Sequence, residues 1–444
     1  MMIRVRAVAS APTFIPTPLP TLLIYNLGII RFVTMSMNVV KLGATQICIE
    51  DSERSITFAI GLLAFTLFVI VSSEFIVMAL LPAMANDLNI PLADAGWFVT
   101  CFALAASLLG PPLTILAGRY HSRDFLIISS IAFAAGNLVI VLAPHYNLII
   151  AIRVLQGGIL PAIVSIVAVE AIHLAGTERK GWAISRVNLG IVTTTILGIP
   201  AAAIIADKLG WPVSFAIFAL LGLISAGLIT LWLPAVSKEN VKQAPMLAGV
   251  ALLRRPSFLI HLLLSCILFT GMFAGYTYIT ALLGILADVD GAIIGWLLMG
   301  FGLAGVFGNW LSGRVVDRDP IAATGCVALT LAFSMAVIAP AAKSLLCLIF
   351  VAGLWGAAHM AAFVICQIRV MKAGGGAEAF ALSLNISACN LGIGLGATLG
   401  GSVVTHHSVE AVGYVGAAVA AVAFVISVVM MVARSCDLDQ NDKL

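Results

Sequence analysis

Twelve long apolar stretches decide what this chain can fold into. They cover residues 56–82, 92–117, 124–143, 147–174, 180–206, 211–235, 257–284, 291–313, 320–340, 343–370, 378–404 and 409–434. Each reaches the roughly 20 residues that a helix needs to cross a bilayer. Inside hydrocarbon every backbone N–H and C=O must find its partner within the chain, which leaves helices or a closed barrel. The apolar residues run on continuously instead of alternating, so the pattern predicts helices. Composition agrees: 61% of residues are hydrophobic and 10% charged, against about a quarter charged in a soluble domain. The expectation is an all-α membrane protein with twelve transmembrane helices and the lipid bilayer as its main solvent.

One long connection, 236–256, carries Lys238, Glu239, Lys242, Arg254 and Arg255. It divides the chain into six-span bundles at 55–235 and 257–435, leaving 436–444 as a short tail. The two halves carry similar text. LAGRYHSRDF (116–125) and LSGRVVDRDP (311–320) agree at five of ten positions at an offset of 195. LGIP (197–200) and LGIG (391–394) match at an offset of 194. These matches predict an internal duplication and two pseudo-symmetric bundles.

Basic residues near span ends set the orientation. Arg119 and Arg123, Arg179 and Lys180, the central loop, Arg314 and Arg318, and Arg369 with Lys372 fall on one side; Asp87, Asp94, Asp288 and Asp290 mark the other. Even-numbered loops and both termini are therefore expected in the cytoplasm of a cell whose inner (plasma) membrane holds the protein. Residues 1–54 fit no span. Pro16, Pro18, Pro20 and Arg31 interrupt their apolar stretch. They are expected to be a disordered or spurious extension, with Met35 or Met37 as a plausible true start.

Several classes are disfavoured. The net charge of +3 gives no nucleic-acid signature, and the eight cysteines form neither a CxxC pair nor a cysteine–histidine cluster. They read as small packing residues, with no metal site. No G-x-x-x-x-G-K-[ST] stretch is present, and no nucleophile–base cluster suggests an enzyme. No cofactor is expected, and a monomer is the simplest assembly.

Intramembrane polar residues carry the functional reading. Glu74 is the one acid deep in span one, eight residues before Pro82; Arg153 lies six residues after Asn147 in span four. At 1.5 Å per residue the two charges sit at similar depth, about 12 and 9 Å in. A carboxylate in low dielectric tends to hold its proton, and a nearby cation favours release. Glu74 is thus a candidate proton site tuned by Arg153, with Gln156 one turn further along the same face. The plain alternative is a fixed structural ion pair. Asn188, Tyr276, Tyr278, His359, Asn385 and Asn390 are candidate cavity residues, and each has an ordinary packing role as its alternative. Glu170 and His173, near the inner end of span four, are expected to face solvent or loop partners.

Together, these motifs resemble the major facilitator superfamily. Its loop pattern G-x-L-a-D-R-x-G-R-[RK] is matched by Leu116, Ala117, Arg119 and Arg123, but Gly118 stands where the pattern has its acid; the second copy keeps Gly313, Arg314, Asp317 and Arg318. The resemblance implies gating by Arg119, Arg123, Arg314, Asp317 and Arg318. Arg153, Gln156 and Gly157 are similar to the R-x-x-Q-G element of proton-driven members. Gly198 and Pro200, with Gly190 before them, resemble the G-x-P packing element of antiporters. The stretches EFIVMALLPAMANDL, RVLQGG and NISACNLGIGLGATLGG look like the arabinose-efflux-like branch, and LGWPVSF departs from it at Pro212. That branch implies proton-coupled export of a drug, sugar or nucleoside through a midplane cavity. A proton-coupled importer or uniporter of the same fold remains open, as does a non-transporting sensor or scaffold.

Overall fold

The computed structural model describes residues 55–234, 251–287, 291–316, 318–375 and 378–441. Expectations for 1–54, Lys238, Glu239, Lys242, Asp288, Asp290 and Asp317 lie outside the described residues. Among the described residues there is no strand, and twelve helices are long and apolar enough to cross a membrane. They are α1 (Ser55–Asp87), α2 (Leu92–Ala117), α3 (Ser122–Leu142), α4 (Tyr146–Ala175), α5 (Trp182–Leu209), α6 (Trp211–Trp232), α7 (Pro256–Tyr276), α8 (Gly291–Val315), α9 (Pro320–Ala341), α10 (Leu345–Ala373), α11 (Phe380–His406) and α12 (Ala411–Arg434).

Two boundaries differ from the hydropathy reading. Helix α1 does not stop at Pro82 but runs on to Asp87, so Glu74 lies about 20 Å from the helix end, not 12 Å. Predicted span seven is interrupted. The amides of Thr277 and Tyr278 bond back to Phe273 and Gly275, a tightened turn, before a short helix resumes at Ile279–Ala287.

The halves repeat each other in packing. Helix α2 lies on α4 as α8 lies on α10, and α3 lies on α6 as α9 lies on α12. Helix α1 meets α5 as α7 meets α11. Across the halves α2 contacts α11 while α8 contacts α5, the same exchange read in both directions. Within the N-terminal half, a Cβ on Gly157 would collide with the carbonyl of Phe102; in the other, one on Gly356 would collide with the carbonyl of Phe301. Both residues shift by 199. Likewise Gly190 lies on the carbonyl of Ala64 as Gly392 lies on that of Cys266, a shift of 202. These small residues let the backbones approach closely.

Those contacts correct the sequence offsets. Packing places Gly198 opposite Gly400, so LGIP does not correspond to LGIG. The loop offset of 195 is short by four residues. At 199, Gly118-Arg119 pairs in register with Asp317-Arg318, and the acid missing from the first loop is kept in the second. The error has a physical source. Shifts of four and eight residues are about one and two helical turns, so the same apolar face, with the same letters, comes round again.

Helix α5 contains a five-residue π turn, Thr194–Gly198, just before Pro200. Pro200 has no N–H to give the preceding turn, which lets the ladder widen there. The sequence feature read as an antiporter element is therefore a local change of helix type.

Candidate functional site

Arg153 is the organising residue. It points from α4 into the N-terminal half and is 1% exposed. Its Nη1 donates to the carbonyl of Ser73 at 2.8 Å and to Oε1 of Gln156 at 3.3 Å. Nη2 donates to the carbonyl of Glu74 at 2.9 Å, and Nε to that of Phe98 at 3.3 Å. The guanidinium lies over the Phe102 ring, 4.2 Å from its centroid. Gly157 permits this, since it brings α2 close enough for both phenylalanines to reach Arg153.

The predicted trio is brought together, though not as side-chain ion pair. Glu74 is 7% exposed, and among the described residues no hydrogen bond or ion pair takes its carboxyl group. Two residues of this network were absent from the sequence reading. Gln156 Nε2 donates to Oδ1 of Asn137 at 3.0 Å, and Asn137 Nδ2 donates to Oγ of Ser73 at 3.0 Å. The signal for Asn137 was faint: one amide in the otherwise apolar text AAGNLVIV.

At equivalent register the second half is built differently. Tyr276, Phe301 and Trp355 occupy the places of Glu74, Phe102 and Gln156. His359 is 3% exposed and boxed by Tyr276, Phe273, Phe301 and Phe363, with centroids 4.3, 5.4, 5.6 and 5.8 Å away. Its Nδ1 has no hydrogen-bond partner among the described residues. The ionisable cluster of the first half is thus matched in register by an aromatic one in the second.

Other candidates scatter. Tyr278 lies away from any midplane site: its hydroxyl donates to Ala397 and packs at Gly96 across the halves. Asn385 accepts from Ser265, Asn390 donates to Ile386, and Asn188 is exposed. Of the gating set, Arg123 donates to the carbonyl of Thr230 in the last turn of α6. Arg314 stacks on Trp310 at 3.5 Å, and Arg119 and Arg318 are exposed.

Two sequence expectations are corrected. Arg369 is no loop charge; it lies inside α10, 1% exposed, donating to the His261 carbonyl and to Ser265. Glu170 is also 1% exposed, so of the solvent or loop partners expected for it, solvent is ruled out. The two are 199 residues apart, an acid and a base at equivalent positions. Counting residues to the end of a span cannot tell a buried last turn from a loop.

The halves meet on one side of this network. Phe75 stands 6.3 Å from Phe273, Thr280 donates to the carbonyl of Met78, and Gly302 lies on the carbonyl of Thr195 in the π turn. The Thr280–Met78 contact lies towards the Asp87 and Asp94 loop, beyond Glu74, whereas the Gly302–Thr195 contact is level with Ser72, which donates to the neighbouring Thr194.

Residues 63–378 match the sequence profile of the Major Facilitator Superfamily. The chain is 30% identical over 353 residues to the inner membrane transport protein YdhP of Escherichia coli O157:H7, covering 79% of this chain and 90% of that protein. It is 29% identical to the uncharacterized MFS-type transporter YfhI of Bacillus subtilis, over 79% of this chain and 87% of that one. It is 27% identical to a probable sugar efflux transporter of Mannheimia succiniciproducens, over 84% and 94% of the two chains. Among solved structures it resembles the nucleoside transporter NupG, with a TM-score of 0.68 at 14% identity over 85% of this chain and 99% of that one. A bacterial homolog of the human lysosomal transporter Spinster gives a TM-score of 0.64, over 85% and 95% of the two chains.

Proposed function

The chain belongs to the Major Facilitator Superfamily, whose members are membrane transporters and not enzymes, and on that premise we propose that it is a proton-coupled exporter of a small organic solute. One observation carries the reading: a buried carboxyl group on α1, with no hydrogen-bond partner among the described residues, sits beside a guanidinium bound to the neighbouring backbone. An ionisable residue inside a membrane span marks an ion or substrate path by default. In this reading the two halves rock about a central cavity, and Glu74 takes up a proton on one side and releases it on the other. With the basic loops in the cytoplasm, the contact between Thr280 and Met78 falls on the outer side of Glu74, and this reading places the outer gate there.

Both termini are then cytoplasmic, the membrane is the inner one, and the working unit is a single chain. The second half supplies an aromatic wall, suited to a neutral solute such as a sugar, nucleoside or uncharged drug. The relative named as a probable sugar efflux transporter agrees with that class. The test is purified protein in liposomes with an imposed pH gradient, screened against radiolabelled sugars and nucleosides. Solute movement against its own gradient, driven by protons moving the other way, is the expected result. Movement that ignores the pH gradient makes the protein a uniporter.

A further inference from the structure

Asn137 lies on α3, outside the motifs that mark this site, and is fully buried. A buried amide in a membrane helix keeps its place when its hydrogen bonds are made inside the protein. Both ends of the Asn137 side chain are used: Oδ1 accepts from Gln156, and Nδ2 donates to Ser73 Oγ, which itself donates to the carbonyl of Val69. The links close a ring: Arg153 to Gln156, Gln156 to Asn137, Asn137 to Ser73, and Ser73 back to Arg153 through its carbonyl. Three helices, α1, α3 and α4, are held by it. Among the described residues the second half has no such ring, since Ala352, Trp355 and Gly275 stand at the positions equivalent to Arg153, Gln156 and Ser73.

We propose that Asn137 is a positioning residue that keeps Arg153 on the Ser73 and Glu74 carbonyls and off the Glu74 carboxylate. The inference rests on Glu74 being the proton site. Arg153 has four acceptors, three of them backbone carbonyls and the fourth Gln156. Gln156 can serve only while its own amide nitrogen is held, by Asn137 and the Phe133 carbonyl. Ser73 is the residue next to Glu74, so its hydroxyl fixes the local turn of α1 from which the carboxyl group projects. Arg153 is bonded to the main-chain carbonyl of Glu74 itself. Where Arg153 sits thus decides whether the carboxylate gains a counter-ion.

The test reads Glu74 directly and needs no substrate. In the full chain in lipid, the infrared C=O stretch of the protonated carboxyl is assigned to Glu74 by its loss in Glu74→Gln, then titrated. Asn137→Leu frees Gln156 and lets the guanidinium swing to the carboxylate, so the midpoint moves to lower pH by at least about half a unit, as a new ion pair requires. Ser73→Ala removes one link of the ring and is the milder variant should Asn137→Leu fail to fold. It moves the midpoint the same way, and the double variant shifts it by less than the sum. An unchanged midpoint in folded Ser73→Ala and Asn137→Leu overturns the inference. If instead the midpoint shifts but Glu74→Gln still exchanges protons for solute, the positioning role stands and the proton-site reading falls.

Discussion

Nη2 of Arg153 donates to the main-chain carbonyl of Glu74 at 2.9 Å, while the Glu74 side chain takes no partner among the described residues. A charge is held beside the acid without being spent on it. Had the two formed a direct buried ion pair, removing either charge would leave the other uncompensated, at a cost of about 3–5 kcal/mol. The carbonyl-bound arrangement leaves the acid able to change its charge without breaking a helix contact.

Glu74→Gln should therefore separate coupling from folding. The amide keeps the shape and cannot carry the proton. In liposomes, solute accumulation driven by a pH gradient falls by at least ~100-fold, the range general acid–base groups supply, while solute–solute counterflow and detergent melting stay near wild type. Retained pH-driven accumulation removes Glu74 from the mechanism.

Arg153→Lys tests the fork itself. Lysine keeps the charge but is a point donor, and cannot reach the carbonyls of Phe98, Ser73 and Glu74 and the amide of Gln156 together. Two or more buried acceptors lose their donor, at about 1–3 kcal/mol each. A clear fall in melting temperature of the detergent-solubilised protein is expected. An unchanged melt means that the charge, and not its geometry, holds α1 to α4.

How much of this was legible depends on the length scale of the signal. Twelve spans are written over tens of residues, and hydrophobic run length alone recovered them; the duplication was read from two short repeats whose offsets were about one and two helical turns off. Arg153, Gln156 and Gly157 were legible because a charge in an apolar run stands out. The partner of each was not. That Arg153 would choose carbonyls over the Glu74 carboxylate depends on a close α2–α4 approach that Gly157 permits but no spacing rule states. Asn137 was missed because its meaning comes from a third helix, 16 residues before Arg153 in sequence and joined to it only through Gln156. Arg369 was misplaced because a basic residue in a helix's last turn reads as topology until its burial is seen.

The glycines at equivalent positions make a matched experiment. Gly157→Ala and Gly356→Ala each push a methyl into a facing carbonyl, of Phe102 and of Phe301, within one half. Overpacking of this kind costs about 1–3 kcal/mol. Both variants should melt lower by similar amounts. Gly300→Ala places its methyl in open space, and helix propensity makes it neutral or more stable by up to about 1 kcal/mol. If all three behave alike, the close approaches do not support the fold.

Gly302 has the same chemistry with a different consequence. Its Cβ would collide with the Thr195 carbonyl, so the clash falls between α8 and α5, across the halves and inside the π turn. The three atoms nearest that Cβ all belong to α5. A clash confined to the contact between the halves is relieved when they tilt apart there, so Gly302→Val should leave melting nearly unchanged and shift the population towards the outward-open state. A bias of about 1.4 kcal/mol changes that ratio tenfold. A cysteine at Thr280, which is 9% exposed and bonded to Met78 across the same contact, reports it. In cells, a membrane-impermeant maleimide should label Thr280→Cys faster when Gly302→Val is also present, with the native cysteines as the background measured in the parent chain. A lower melting temperature with unchanged labelling would mean that α5 and α8 are a fixed seam of the fold and not a gate.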